Sequence, residues 1–212
     1  KTFGRRYNFS PYNRKLETCN RKPSPMKATD DSRPLLAITM GDITGIGPEI
    51  IIKALADPHL YAQCRPLVLG DLPALEKARE ILQADLSIQE TTAPAAGHYR
   101  PGTIDILALS RLAPQSLAYG RPTPASGAAM VGYILAAVDL ALNGAAAAVV
   151  TAPISKAAMH LGGFHYPGHT ELLAQRCQTP DFAMMLAGGA FRVVLATIHC
   201  PLREVPGRLD QA

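Results

Sequence analysis

From residue 34 onward, short apolar runs of strand length alternate with segments whose apolar residues fall at helical spacing. "PLLAITM" (34–40), "RPLVLGD" (65–71) and "AAAVVT" (146–151) carry unbroken apolar runs and read as strands, the last as a buried one; "FRVVLATIH" (191–199) and "FAMML" (182–186) join them. "SIQET" (87–91) and "TIDILAL" (103–109) are weaker strand candidates. Between them lie "LPALEKAREILQ" (72–83), with apolar residues at i, i+3 and i+4, and "HTELLAQRCQ" (169–178). The clearest helix is "TPASGAAMVGYILAAVDLALNG" (123–144), with Thr123 as cap, Pro124 in the first turn and Asn143-Gly144 as the stop. Strands buried on both faces and alternating with helices define an α/β class with a mostly parallel, covered sheet.

In such sheets ligands collect beyond the carboxyl ends of the strands. Three segments are expected there: 41–49 after the first strand, 151–156 after "AAAVVT", and 199–202 after "FRVVLATI".

The loop "GDITGIGPE" (41–49) is not a dinucleotide fingerprint. G-x-G-x-x-G needs glycine where Ile50 stands, and the acidic residue after the second strand would have to be Asp71. Its glycines permit a tight turn and close approach to a ligand, Pro48 suits a first helical turn, and Glu49 suits the helix dipole while discouraging phosphate. A purely structural βα turn stands equally.

"FHYPGHTELL" sets His165 and His169 four apart, but Pro167-Gly168 breaks the helix that a shared metal-binding face requires. His165 therefore reads as a loop or packing residue. His169 and Thr170 stand at a helix entrance, where imidazole, hydroxyl and free backbone N–H groups can all donate to an anion. Thr170 as a simple helix cap is the alternative. "ATIHCPL" places His199 at a strand end, suited to a divalent metal or to proton transfer, while Cys200 alternates away. One histidine does not make a metal site, so partners must come from elsewhere. In "TAPISK", Thr151, Ser155 and Lys156 can contact phosphate or carboxylate, with Lys156 as a possible proton carrier; a strand–turn–helix link with a solvated lysine is the other reading.

Charge restricts the partners. Residues 1–33 carry nine Lys/Arg against three Asp/Glu and 34–212 carry twelve against fourteen, so the overall +4 resides in the first segment (+6) and the body is −2. The body thus gives no electrostatic reason to expect nucleic acid. The longest apolar segment is interrupted by Gly132, Asp139, Asn143 and Gly144, which argues against a membrane span. Four scattered cysteines without a C-x-x-C pair fit reduced thiols and a cytoplasmic setting. Residues 1–33 form a basic extension, expected to be disordered or non-native. Within it, 1–25 read as untranslated or vestigial sequence before a start at Met26, with an Arg-rich targeting leader as the rival.

"ITMGDITGIGPEI", "YGRPTPASGAAM", "VVTAPISK", "GFHYPGHTELLA", "FAMML" and "RVVLATIHCPL", in this order, resemble the 4-hydroxythreonine-4-phosphate dehydrogenase family of pyridoxal phosphate biosynthesis. The resemblance covers about 34–212 and implies the N-terminal part of a homodimeric, two-domain α/β/α dehydrogenase of the isocitrate/isopropylmalate type, its C-terminal part missing. It implies NAD-dependent oxidation of a phosphorylated hydroxythreonine to a β-keto acid that loses CO2, with a divalent cation (Zn, Mg, Mn or Co). By the same resemblance His169 and Thr170 contact substrate and His199 ligates the metal, while the family's other two metal histidines and a Lys/Asn/Arg substrate set lie later than residue 212. The truncated chain is accordingly expected to be inactive alone. Dehydrogenases of four-carbon sugar-acid phosphates (threonate or erythronate 4-phosphate) or of aromatic dihydrodiols are the near alternatives. A non-catalytic or acyl-transferring relative is the alternative from another class.

Overall fold

The computed structural model describes residues 31–179, 181–198 and 200–209. The expectations placed on 1–25, including the start at Met26, and on His199 lie outside the described residues.

Five parallel strands form the main sheet in the order β3-β4-β2-β1-β5: β1 (Leu35–Thr39), β2 (Arg65–Asp71), β3 (Ser87–Glu90), β4 (Thr103–Ser110) and β5 (Ala148–Thr151). β2 lies at the centre and is buried along its whole length, with Leu67, Val68 and Leu69 at 0% exposure. Each such side chain contributes about 1.5–3 kcal/mol relative to an exposed one, which is why apolar residues occupy consecutive positions here rather than alternate ones. The two strands with weaker sequence signals, β3 and β4, both form.

The helices are α1 (Gly47–Leu55), α2 (Pro58–Gln63), α3 (Leu72–Ile81), α4 (Pro124–Leu142), α5 (Lys156–Leu161) and α6 (His169–Cys177). α1 and α3 follow strands that step one way across the sheet, and they pack on each other. α4 follows β4 and carries the chain back past β1 to β5, and right-handed crossovers put it on the opposite face. It starts as expected: Thr123 accepts from Ser126 N, the Ser126 hydroxyl answers the Thr123 N–H, and Pro124 stands in the first turn. Asn143 ends it, followed by Gly144 at φ +75°.

α4 is long and apolar enough to cross a membrane, but ten of its residues are buried within the protein. Tyr133, Ala136 and Ala137 meet the sheet core. Met130, Val131, Ile134 and Val138 form a second core with Ala158 and Met159 of α5 and Leu172 of α6. The Arg176 guanidinium donates to the Asp139 carboxylate at 2.7 Å and ties α6 to α4.

Two expectations are corrected. The 146–151 strand is not buried: it is reduced to β5 at one edge of the sheet, with Ala148 and Val150 exposed. The segments at 182–186 and 191–198 do not extend the parallel sheet. They give β6 (Met185–Gly188) and β7 (Phe191–Val194), an antiparallel hairpin of its own. A Gly189-Ala190 connection, with Gly189 at φ +55°, closes it. Gly-X at a two-residue hairpin turn is the signal that "LAGGAFR" carried. β7 stops at Val194, and residues 195–198 carry no strand.

Candidate active site at the switch point of the sheet

The direction of strand addition reverses at β1: β2 lies on one side and β5 on the other. A crevice at such a reversal, beyond the strand ends, is where open α/β sheets bind ligands. Two of the three expected segments meet there. Asp42 N donates to Pro153 O at 3.0 Å, joining the loop after β1 to the loop after β5. Gly41 has φ +71°, and a Cβ on it would stand 2.2 Å from Pro153 O. A Cβ on Gly47 would stand 2.1 Å from Met40 O. These two glycines serve approach of backbone to backbone, which decides their role in favour of the structural turn. The turn is held from within by the buried Asp42, whose Oδ1 accepts from Thr44 N at 2.9 Å and Thr44 Oγ1 at 2.8 Å.

A third segment joins from the connection between β4 and α4. Gly120 N donates to Thr44 O at 2.8 Å, and the Tyr119 hydroxyl donates to Glu49 Oε1. Lys77 of α3 donates to Leu117 O at 2.8 Å and stands 4.7 Å from the Tyr119 ring centre. Burial, then the Glu49 hydrogen bond, pushes the Tyr119 phenol up to about 12, so it stays a donor at neutral pH. The other Glu49 oxygen, Oε2, is buried without a partner among the described residues. Sequence reasoning missed Asp42, Lys77 and Tyr119 as parts of this site. Tyr119 opens the quoted "YGRPTPASG" run, but no local spacing connects it with Glu49, seventy residues earlier.

On the β5 side, Ser155 is the N-cap of α5 and its Oγ accepts from Ala158 N at 3.1 Å. Its hydroxyl oxygen is thus already engaged by the helix. Lys156 is the first residue of α5 and is exposed. Thr151 pairs in register with Thr39, whose Oγ1 is buried and without a partner among the described residues.

α6 begins at His169, and the expected break before it is present: Gly168 is the N-cap, extended at φ −178°, and provides no side-chain cap. Thr170 therefore does not cap the helix; it lies inside the first turn, partly buried. The first-turn N–H groups have no side-chain cap. The His169 ring is half-buried, and its Nε2 is enclosed with no partner among the described residues. Burial lowers its pKa from the ordinary 6.5, so the ring is neutral at neutral pH and offers one donor and one acceptor. His165 is outside the helix and exposed, its ring set against His160.

A stability consequence follows from His169. Its native pKa lies below the unfolded value, so between the two only the unfolded chain binds the proton. This contribution to stability is complete above 6.5 and is lost as pH falls through the native value. The urea midpoint is expected to fall between about pH 7.5 and pH 5, and to fall less in His169→Asn. Equal slopes in the two proteins would remove His169 from that account.

No group of three or more His, Cys, Asp or Glu side chains among the described residues is arranged to hold a metal ion. The expected ligand His199 is not among them, and its neighbour Cys200 is a partly buried free thiol.

Comparison with known proteins identifies the family. The sequence profile described as "Pyridoxal phosphate biosynthetic protein PdxA" matches residues 62–212. The chain belongs to the PdxA family. The 4-hydroxythreonine-4-phosphate dehydrogenase of Desulforapulum autotrophicum is 53% identical over 182 residues, covering 86% of this chain and 54% of that protein. The D-threonate 4-phosphate dehydrogenase of Cupriavidus necator is 41% identical, covering 85% and 54%. The crystal structure of a 4-hydroxythreonine-4-phosphate dehydrogenase from Burkholderia phymatum superposes with a TM-score of 0.78 at 39% identity, over 84% of this chain and 55% of that one. This PdxA chain thus spans about half the length of the curated relatives it matches.

Proposed function

We propose that this chain is the N-terminal part of a cytoplasmic, homodimeric 4-hydroxythreonine-4-phosphate dehydrogenase with the two-domain architecture of the isocitrate/isopropylmalate dehydrogenases. The reaction is NAD-dependent oxidation of the substrate's secondary alcohol to a β-keto acid, which decarboxylates. The observation that carries the reading on this chain's own residues is the enclosed Nε2 of His169, without a partner among the described residues, at the entrance of α6 that has no side-chain cap, with Thr170 beside it. A buried polar atom without a partner is costly, on the order of 1–3 kcal/mol, unless a ligand supplies one. Neutral imidazole, threonine hydroxyl and first-turn N–H groups together suit the oxygens of a phosphorylated hydroxy acid. Their task is to hold the substrate so that the reacting carbon keeps a fixed position against the nicotinamide. The Glu49–Tyr119 bond fixes the rim segment 117–121 on the loop after β1. NAD supplies the hydride acceptor. A divalent metal would be held by His199 together with ligands later in the family's sequence, since no group of three or more ligating side chains stands among the described residues.

In the completed protein, NADH formation from 4-phosphohydroxythreonine is expected to exceed that from four-carbon sugar-acid phosphates or dihydrodiols. His169→Ala and Thr170→Ala should each lower kcat/KM by roughly 10- to 100-fold, the loss of one hydrogen bond to a charged group. Preference for threonate 4-phosphate would favour the second reading, which the Cupriavidus necator relative supports. No NADH with any of these substrates would favour a non-catalytic or acyl-transferring relative.

A further inference from the structure

The His160 and His165 rings lie with their centres 5.2 Å apart, tilted at 49°, and both residues are exposed. We propose that this pair is a two-histidine site for a divalent transition-metal ion of the nickel–zinc class, its remaining coordination positions filled by water. The proposal does not use His199 and is independent of the proposed dehydrogenase activity.

The spacing suits one shared ion. With the nitrogen about 2.0–2.1 Å from the ion and about 1.1 Å from its ring centre, two ligating rings have centres about 4.5 Å apart at an octahedral cis angle and about 5.2 Å apart at a tetrahedral one. The observed separation falls at the upper end of that range. Neither ring has a side-chain hydrogen bond among the described residues, so binding displaces no protein partner. The terminal imidazole torsion is broad and roughly two-fold, so at exposed positions each ring can turn a nitrogen inward at small cost.

The backbone between the rings is fixed. His160 is in the last turn of α5, and Gly163 N donates to His160 O at 3.0 Å. Gly163 has φ +87°, and Phe164 N returns to Met159 O at 3.0 Å. Gly162 sits against α4 so closely that a Cβ would stand 2.5 Å from Ala128 N. Phe164 and Tyr166, on either side of His165, pack on the second core. The second imidazole is therefore presented at high effective concentration to an ion held by the first. With two protein ligands the site falls short of the three or more that a closed or catalytic centre uses. It should bind reversibly, with imidazole selecting nickel or zinc over magnesium. An ion there would tie the end of α5 to the segment that leads into α6.

The test uses Ni2+ as probe, because it suits imidazole and its paramagnetism reports position. In a His199→Ala background, titration calorimetry is expected to show one site that His160→Gln and His165→Gln each weaken at least about tenfold. Amide NMR signals of the unsubstituted chain should broaden first at 160–166. Unchanged affinity in either glutamine variant overturns the proposal, and so does broadening centred on His59 or His98. The NMR measurement decides the matter even if a variant fails to fold.

Discussion

Gly127→Ala is expected to destabilise the protein by about 3 kcal/mol or more, although it replaces a poor helix former with the best one. Propensity alone predicts a gain of roughly 1 kcal/mol from this change inside a helix. Sterics oppose it. A Cβ on Gly127 would stand 1.8 Å from Ala158 O and 2.7 Å from Ala158 C. Those are backbone atoms of α5, and Ala158 is fully buried. The contact is reciprocal, since a Cβ on Gly162 would stand 2.7 Å from Gly127 C. No side chain can rotate to relieve it, so α5 must move off α4 and open the core formed by Met130, Ile134, Met159 and Leu172. Overpacking of this kind usually costs about 1–3 kcal/mol, and more where backbone must shift. A thermal or urea melt measures it, with a fall in Tm of roughly 6–12 °C expected at this chain length. The double variant Gly127→Ala/Gly162→Ala should cost less than the sum of the singles, because one separation of the helices relieves both. A stabilised Gly127→Ala would mean that the two helices do not meet at these glycines.

The contrast between Gly127 and the α4 cap shows which parts of the fold the sequence could reveal. Thr123, Pro124, Asn143 and Gly144 act on their own backbone, so their positions in the chain suffice to place the helix ends. The strands β1 and β2 were legible for a similar reason, because an apolar run longer than a turn must be buried somewhere. Where it is buried is another matter. "AAAVVT" and "FRVVLATIH" look alike in sequence, yet one gives a sheet edge and the other half of a separate hairpin. Strand pairing depends on partners distant in the chain, and only the Gly189 turn offered a local clue. The candidate site divides along the same line. The break at Pro167-Gly168 isolated His169 from His165 and predicted a helix entrance at 169. The rim made by Glu49, Lys77 and Tyr119 joins three separate elements, and no spacing in the sequence encodes it.

Asp71→Ala is expected to cost about 3–5 kcal/mol, because several buried donors lose their acceptor at about 1–3 kcal/mol each. Asp71 drew notice in the sequence only as the acidic residue that a dinucleotide fingerprint would have to use. In the fold it is fully buried at the end of β2 and serves three donors. Its Oδ1 accepts from Ala74 N at 3.0 Å and so caps α3. Its Oδ2 accepts from Ser110 Oγ at 2.8 Å and from Leu112 N at 2.7 Å. The register between β2 and β4 slips between Gly70 and Asp71, which sets Asp71 opposite Ser110. Since Ser110 spends its proton on Asp71, the bond between Tyr133 OH and Ser110 Oγ, 2.5 Å long, has the phenol as donor. Burial, and then the charge of Asp71, raise the Tyr133 pKa, so that proton stays in place. The order Tyr133 to Ser110 to Asp71 thus joins α4, β4, β2 and α3 through one carboxylate. Alanine would strand all three donors. Asparagine keeps the shape, but its NH2 must face a donor at one of the two oxygen positions, so Asp71→Asn should fall between wild type and alanine in a urea melt. Tyr133→Phe should cost much less, about 0.5–1.5 kcal/mol, because it removes a donor from the end of the chain and leaves every acceptor of Asp71 occupied. Were Asp71→Asn as stable as the parent while Tyr133→Phe lost several kcal/mol, the network would be organised around the phenol and not the carboxylate.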